Sequence, residues 1–94
     1  MAFGTLVRRE REERQMTLTE LARQVDVSIA YLSRIERERE NPPPDRLVAA
    51  LARALRLPAD DLFAAARRLP PDLRARTDEV IAVYRQQQTA RRGS

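Results

Sequence analysis

The chain has 94 residues, with 18 basic side chains against 14 acidic ones, a net charge of +4, and neither cysteine nor histidine. Without those two residue types the usual zinc ligands, thiol nucleophiles and the commonest general base are missing, so we expect no enzyme, no metal site and no cofactor. The length suits one domain and leaves no room for a separate catalytic or sensor domain. Because no signal region or membrane-length apolar run is present, we expect a cytoplasmic protein.

Composition and charge distribution narrow the fold class and the partners. Apolar residues make up 43% of the chain but aromatic residues only 4%, which favours leucine, alanine and valine packing in an all-α protein. The positive net charge fits a nucleic-acid partner. Residues 1–40 hold eight arginines and eight acids, whereas residues 41–94 hold ten arginines and six acids and so carry the whole excess. A basic face in the first 40 residues therefore requires acids and bases to segregate to different sides.

Residues 3–14 are predicted to form the first helix. Its buried stripe is Phe3, Leu6 and Val7, and the remainder is densely charged. Several opposite charges fall three or four residues apart, which supports a helix modestly. We expect most of these charges to form a solvated face.

Residues 17–37 carry the strongest local pattern in the chain. Thr17 and Glu20 form a T-x-x-E capping box, which fixes the start of a helix. Asp26 suits a turn, and Ser28 is an N-cap candidate for a further helix. Apolar residues at helical spacing follow each cap: Leu18, Leu21, Ala22 and Val25 in the first helix, and Tyr31, Leu32 and Ile35 in the second. Two capped helices this close cannot be collinear, so the pattern predicts two short, crossing helices joined by a tight turn.

Two more helices are predicted after a stiff connector. The run Asn41-Pro42-Pro43-Pro44 stops whatever precedes it, because proline disfavours helix in the residue before it and lacks a donor. A fourth helix should then span Asp45–Arg56 and a fifth Ala59–Arg68, the fifth with acids in its first turn and arginines in its last. Their core positions are Leu47, Val48, Leu51, Ala54 and Leu55, then Leu62 and Phe63.

The C-terminal residues 69–88 are predicted to form a sixth helix, followed by a flexible tail at residues 89–94. The apolar stripe consists of Leu73, Thr77, Val80, Ile81 and Tyr84. An isolated helix would be marginal, so this stripe must bury against something. It either mediates homodimerisation, which we favour because five helices should already close a small core, or folds back over its own domain. A DNA-contacting role for the terminal arginines is a further alternative.

Taken together, these residues resemble the Xre/Cro/lambda-repressor class of helix-turn-helix DNA-binding domains of bacteria. The likeness extends from Phe3 to about Phe63, and the stretch Leu69–Leu73 is also similar to bacterial members. The residues that carry it are Thr17, Glu20, Leu21, Ala22, Val25, Val27, Ser28, Tyr31, Leu32, Ser33, Ile35, Glu36, Asn41 and Pro42. The resemblance implies a five-helix domain over residues 1–68 and a partly buried structural ion pair between Arg11 and Glu36.

The sequence departs from the pattern of that class at three positions. Gln15 stands where a glycine often ends the first helix, and Glu38 where a glycine often ends the second helix of the motif. Because Arg and Glu are good helix formers, we expect that second helix to continue through Glu38 or Arg39. Leu18 stands where a glutamine often contacts phosphate, which puts that phosphate contact in doubt. The leucine side chain could extend the core instead.

The resemblance places the second helix of the motif in the major groove of DNA, with its N-terminal side chains toward base edges. The expected base-contacting residues are Ser28, Ile29, Ala30, Ser33 and Arg34. Arg34 is the best candidate because a guanidinium can bond two guanine acceptors at once. The expected phosphate-contacting residues are Thr17, Tyr31, Arg37, Arg39 and Asn41. For Tyr31, core packing is an equal alternative, and for Arg34 the alternative is a surface charge without base contact.

The sequence therefore predicts a sequence-specific, double-stranded DNA-binding regulator of transcription. A homodimeric repressor that reads a near-palindromic operator is the favoured form. The alternatives are an antitoxin, in which the C-terminal helix holds a small toxin protein, and a protein-interaction scaffold, which only the zero net charge of residues 1–40 supports.

Overall fold

The computed structural model describes residues 1–68, which fold into five α-helices without a β-strand. The helices are α1 Phe3–Glu13, α2 Leu18–Gln24, α3 Ile29–Glu36, α4 Asp45–Leu55 and α5 Ala59–Ala65. The predicted all-α class and the five predicted helices are confirmed. The predicted sixth helix at residues 69–88, with its dimerisation stripe, and the tail at 89–94 lie outside the described residues. Of the five helices, none has the length and apolar character needed to cross a membrane.

The five helices enclose one hydrophobic core. α3 packs against both α1 and α2, α4 packs against α5, and α1 reaches across to α4 and α5. The buried apolar residues are Phe3, Val7, Leu21, Ala22, Val25, Leu32, Ile35, Leu47, Val48, Leu51, Ala52, Leu55, Leu62, Phe63 and Ala66. Most of these are the positions that helical spacing predicts. Ala52 and Ala66 were not predicted, and the predicted Leu6 and Ala54 are half-buried against the core. Leu18 also packs against this core, at half-buried exposure.

Helices α1 and α3 approach closely at Gly4. A Cβ atom built on Gly4 would lie 1.9 Å from the carbonyl oxygen of Ile35. No side chain fits in that space, so glycine is required here for contact between backbones and not for a special φ angle. This backbone contact fixes the position of α3 along α1.

Both helices of the motif begin at the predicted caps. The hydroxyl of Thr17 accepts from the backbone N–H of Glu20 at 3.0 Å, and the Glu20 carboxylate accepts from the N–H of Thr17 at 3.4 Å. The hydroxyl of Ser28 accepts from the N–H of Tyr31 at 3.1 Å. Between the two helices Asp26 adopts a left-handed φ of 58°, as the turn prediction required.

The prediction that α3 continues through Glu38 or Arg39 is wrong. The helix ends at Glu36, and Glu38 takes a left-handed φ of 61° without being glycine. Its carboxylate accepts from the backbone N–H of Thr5 at 2.7 Å and from the Thr5 hydroxyl at 3.2 Å. These bonds to the start of α1 offset the cost of the left-handed conformation, so tertiary contact overrides helix propensity.

The prediction that α5 runs to Arg68 is also wrong. The helix ends at Ala65, and Arg67 adopts a left-handed φ of 58°. The guanidinium of Arg68 instead donates to the carbonyl oxygens of Pro42, at 2.8 Å, and Pro43, and lies 3.3 Å from Asp45. Arg68 thus holds the proline connector in place instead of completing the last turn of a helix.

Candidate nucleic-acid interface

Helix α3 has one buried face and one face that is open to solvent. Leu32, Ile35 and Glu36 point inward, whereas Ile29, Ala30 and Arg34 are exposed. Ile29 is 47% exposed, and Met1 is the other large exposed apolar residue within residues 1–68. Ser28 is exposed at the cap and Ser33 is half-buried. Of the five residues predicted to face bases, four are therefore exposed and Ser33 is half-buried.

The Arg34 side chain is held by two neighbours. Its Nε donates to Oε1 of Glu40 at 2.8 Å. Its guanidinium carbon lies 5.9 Å from the centroid of the Tyr31 ring, near the outer limit for a cation–π contact. The sequence pattern did not predict this contact with Glu40. Residues six positions apart are not neighbours on a helix, and these two meet only because α3 ends and the chain turns back.

Of the two alternatives predicted for Tyr31, core packing is present in the structure. Its side chain is half-buried and packs against the hydrophobic core. It also lines a cleft between the turn of the motif and α4, together with Arg46 and Pro44. The ring thus supports the core on one side and Arg34 on the other.

Acids and bases segregate in the alternating stretch Glu36-Arg37-Glu38-Arg39-Glu40. Each glutamate has a partner within the domain: Glu36 pairs with Arg11, Glu38 with Thr5 and Glu40 with Arg34. Arg37 and Arg39 are exposed, and neither forms an ion pair with any of residues 1–68. This sorting leaves accessible positive charge at the exit of α3 even though residues 1–40 carry no net charge.

The predicted pair between Arg11 and Glu36 is present, and it anchors α3 from behind. Nε and Nη2 of Arg11 donate to the two carboxylate oxygens of Glu36 at 2.8 and 2.9 Å, with side-chain exposures of 12% and 4%. Nη1 of Arg11 donates to the carbonyl oxygen of Met16 at 2.8 Å. The hydrogen bonds that Arg11 donates to the Glu36 carboxylate raise the pKa of the Arg11 guanidinium above its ordinary value. The Arg11 side chain thus links α1 to α3 through Glu36, and to the residues before α2 through Met16.

Most of the predicted phosphate-contacting residues are exposed at the ends of helices. Arg37, Arg39 and Asn41 are exposed at the exit of α3, and Thr17 is exposed at the start of α2. The Thr17 N–H and hydroxyl are both engaged in the capping box with Glu20. The structure therefore establishes the capping role of Thr17.

Comparison with known proteins identifies the class of this architecture. The model of a helix-turn-helix domain family matches residues 2–66, almost all of the described domain. The chain belongs to the Xre-like helix-turn-helix family.

Named relatives of this helix-turn-helix protein are regulators of transcription. The HTH-type transcriptional repressor RghR of Bacillus subtilis is 39% identical over 62 residues, which cover 66% of this chain and 46% of RghR. The uncharacterised regulator RghRB of the same organism is 32% identical over 91 residues, covering 94% of this chain and 66% of RghRB. The chain thus spans about half to two thirds of these relatives' lengths. None of these names describes an enzyme.

A solved structure of a regulator has the same fold. The clp gene regulator ClgR of Corynebacterium glutamicum aligns with a TM-score of 0.61 and 28% identity, covering 95% of this chain and 83% of that one. The family match, the named relatives and the solved structure therefore all confirm the resemblance that the sequence motif indicated.

Proposed function

We propose that this helix-turn-helix protein binds double-stranded DNA sequence-specifically and regulates transcription, as a homodimeric repressor in the bacterial nucleoid. The observation that carries the proposal is the solvent-exposed face of α3, which presents Ile29, Ala30 and Arg34. Beside it lie Arg37 and Arg39, which form no ion pair with any of residues 1–68. A helix with this face fits the major groove, which is wide enough to admit it. The repressor named RghR, a relative of the chain, supports repression as the mode of action.

Base reading is assigned to the first two turns of α3. Arg34 would donate to O6 and N7 of a guanine, the pair of acceptors that distinguishes guanine in the major groove. Ile29 and Ala30 would contact thymine methyl groups, and the 47% exposure of Ile29 is otherwise unfavourable for an isoleucine. Ser28 and Ser33 would add single hydrogen bonds. Removing Arg34 should cost about 1 to 3 kcal/mol of binding and relax preference at one base pair.

Phosphate contacts are assigned to residues at the ends of the motif. Arg37, Arg39 and Asn41 would hold one strand, and Thr17 with Tyr31 the other side of the groove. Contacts of this kind set the register without specifying sequence. Because Arg37 and Arg39 are the only two arginines of residues 34–40 without an ion pair in the described domain, one copy should bind weakly and with a shallow dependence on salt. Two copies on one operator would multiply the contacts.

Dimerisation is assigned to the predicted helix at residues 69–88. Its stripe at Leu73, Thr77, Val80, Ile81 and Tyr84 would pair with a second copy, which places two α3 helices on one face of the DNA. A twofold dimer binds half-sites about one helical turn apart, hence a near-palindromic operator. Repression would follow from occlusion of a promoter by the bound dimer.

Selection of bound fragments from the genome of the source organism tests the proposal. The full chain should enrich a single consensus with two inverted half-sites, and Arg34→Ala should enrich a consensus that has lost information at one symmetric guanine. Sedimentation of the same sample should give a dimer. Absence of any enriched sequence would contradict DNA reading and favour a protein-interaction role, whereas a consensus without symmetry would contradict the dimer alone.

A further inference from the structure

Glu40 lies beside the base-reading arginine although it belongs to the connector that follows α3. The left-handed turn at Glu38, and a hydrogen bond at 2.9 Å from the N–H of Arg39 to the carbonyl oxygen of Arg34, bring the chain back over the last turn of the helix. The Glu40 carboxylate then accepts from Nε of Arg34 at 2.8 Å. The side chains of Arg34 and Glu40 are 49% and 35% exposed, so both are accessible to a bound molecule.

The contact restricts how Arg34 can present its donors. Glu40 bonds to Nε, and the Tyr31 ring lies 5.9 Å from the guanidinium carbon. Within the described part of the chain, no partner bonds to Nη1 or Nη2 of Arg34. The guanidinium is a rigid planar fork, so fixing Nε and one face leaves the terminal Nη1 and Nη2 pair as the free edge. That edge has the spacing needed for O6 and N7 of one guanine.

We propose that Glu40 is a specificity-determining positioning residue, which holds Arg34 with its terminal edge toward a single base pair. This inference rests on the proposed function, because it assumes that Arg34 reads a base. Glu40 itself touches no base in this account. It acts by ordering a long, flexible side chain before DNA arrives, so that less freedom is lost on binding.

The carboxylate has a second consequence for discrimination. Placed beside the DNA surface, a negative charge repels phosphate and weakens sequence-independent binding, whereas the cognate guanine compensates through the positioned fork. Loss of Glu40 should therefore raise affinity for unrelated DNA while lowering preference at the position that Arg34 reads. These opposite changes distinguish positioning from a general contribution to affinity or folding.

The test uses the full chain and duplexes obtained by selection from a randomised pool. Affinities are measured for the selected duplex, for the three other base pairs at each of its positions, and for a scrambled duplex of equal length. Glu40→Ala should reduce discrimination at the base pair read by Arg34 by about two- to twelve-fold, the range expected for ordering one flexible side chain. Discrimination at other positions and the melting temperature should not change, and affinity for the scrambled duplex should rise.

Three further variants make the result specific. Glu40→Gln keeps an acceptor oxygen and should retain more discrimination than Glu40→Ala, and in an Arg34→Ala background Glu40→Ala should alter no base preference. Glu13→Ala removes a carboxylate of α1 that is 60% exposed and 3.9 Å from Arg9, and it should change no base preference. Unchanged or increased discrimination in Glu40→Ala, or equal losses in the alanine and glutamine variants, would overturn the proposal. If Arg34→Ala itself alters no base preference, the base-reading function fails and not merely the role of Glu40.

Discussion

Replacing Glu36 with alanine removes the carboxylate that neutralises a buried arginine. In the native domain Glu36 is 4% exposed and accepts two hydrogen bonds from Arg11, which is 12% exposed. In the variant the Arg11 guanidinium keeps the Met16 carbonyl at 2.8 Å and the outer carboxylate of Glu12 at 3.9 Å, but it loses its buried counter-charge. These remaining partners offset only part of the free energy lost when the Arg11 guanidinium is removed from water.

The structure gives the expected size of this effect. Breaking a buried pair by removing one partner costs about 3 to 5 kcal/mol. We expect the lower end, about 3 kcal/mol, because Arg11 retains the Met16 carbonyl and some contact with solvent. That is a large part of the roughly 5 to 15 kcal/mol that stabilise a small domain.

Urea melts followed by far-ultraviolet circular dichroism measure the loss. The matched control Glu13→Ala removes an exposed carboxylate from the last turn of α1 and should cost about 0.5 kcal/mol or less. The double variant Arg11→Met with Glu36→Leu removes both charges and should lose less than Glu36→Ala, since apolar replacement of a buried pair is often neutral. A Glu36→Ala midpoint equal to that of Glu13→Ala would refute the inference that this pair anchors α3.

Four further outcomes are expected. Gly4→Ala places a Cβ atom 1.9 Å from the Ile35 carbonyl oxygen and should cost about 1 to 3 kcal/mol in urea melts as α1 and α3 separate, so an unchanged midpoint would show that the helices are not in rigid contact. Gln15→Gly relieves a left-handed φ of 55° and should stabilise the domain by about 1 kcal/mol; destabilisation would show that the side chain contributes there. Hydrogen bonds from Arg14 and Arg9 lower the pKa of Glu10 below its ordinary 4.5, so the stabilising contribution of Glu10 is present above pH 4.5 and is lost as the pH falls through the lowered value. When the free energy of unfolding is measured against pH, it should fall less on acidification in Glu10→Gln than in the native protein. Arg39→Ala should weaken all duplexes alike and lower the salt slope by about one, and a loss confined to the selected sequence would make Arg39 a base reader instead.

The helices and the core were predictable because their signals are local. Thr17 and Ser28 cap as the sequence indicates, and buried positions such as Leu21 and Leu51 recur with the helical period. These features depend on residues within one or two turns, and a single sequence contains all of that information.

The ends of α3 and α5 were not predictable because distant contacts decide them. Glu38 leaves the helix in favour of the backbone of Thr5, which is 33 positions away, and Arg68 bonds to Pro42 across 26 positions. Helix propensity favoured continuation at both ends, since Glu and Arg are good helix formers. The same turn at Glu38 places Glu40 against Arg34, so the wrong prediction for the end of α3 also left this contact unpredicted.

The distribution of charge over the surface could not be fully predicted from the sequence either. Composition shows eight arginines and eight acids in residues 1–40, but it does not show which acids are engaged. The resemblance predicted the partner of Glu36, but only the fold places Glu38 on Thr5 and Glu40 on Arg34. It also leaves Arg37 and Arg39 exposed. The basic face at the exit of α3 follows from that sorting.

Replacement of individual guanines by 7-deazaguanine in the selected duplex tests the central claim, that Arg34 reads a guanine in the major groove from α3. The modified base lacks N7, one of the two acceptors that guanine offers there. At one symmetric position in each half-site the native protein should lose affinity, and Arg34→Ala should bind the modified and unmodified duplexes equally. Equal losses for the native protein and Arg34→Ala at that position, or no sensitive position at all, would contradict the claim.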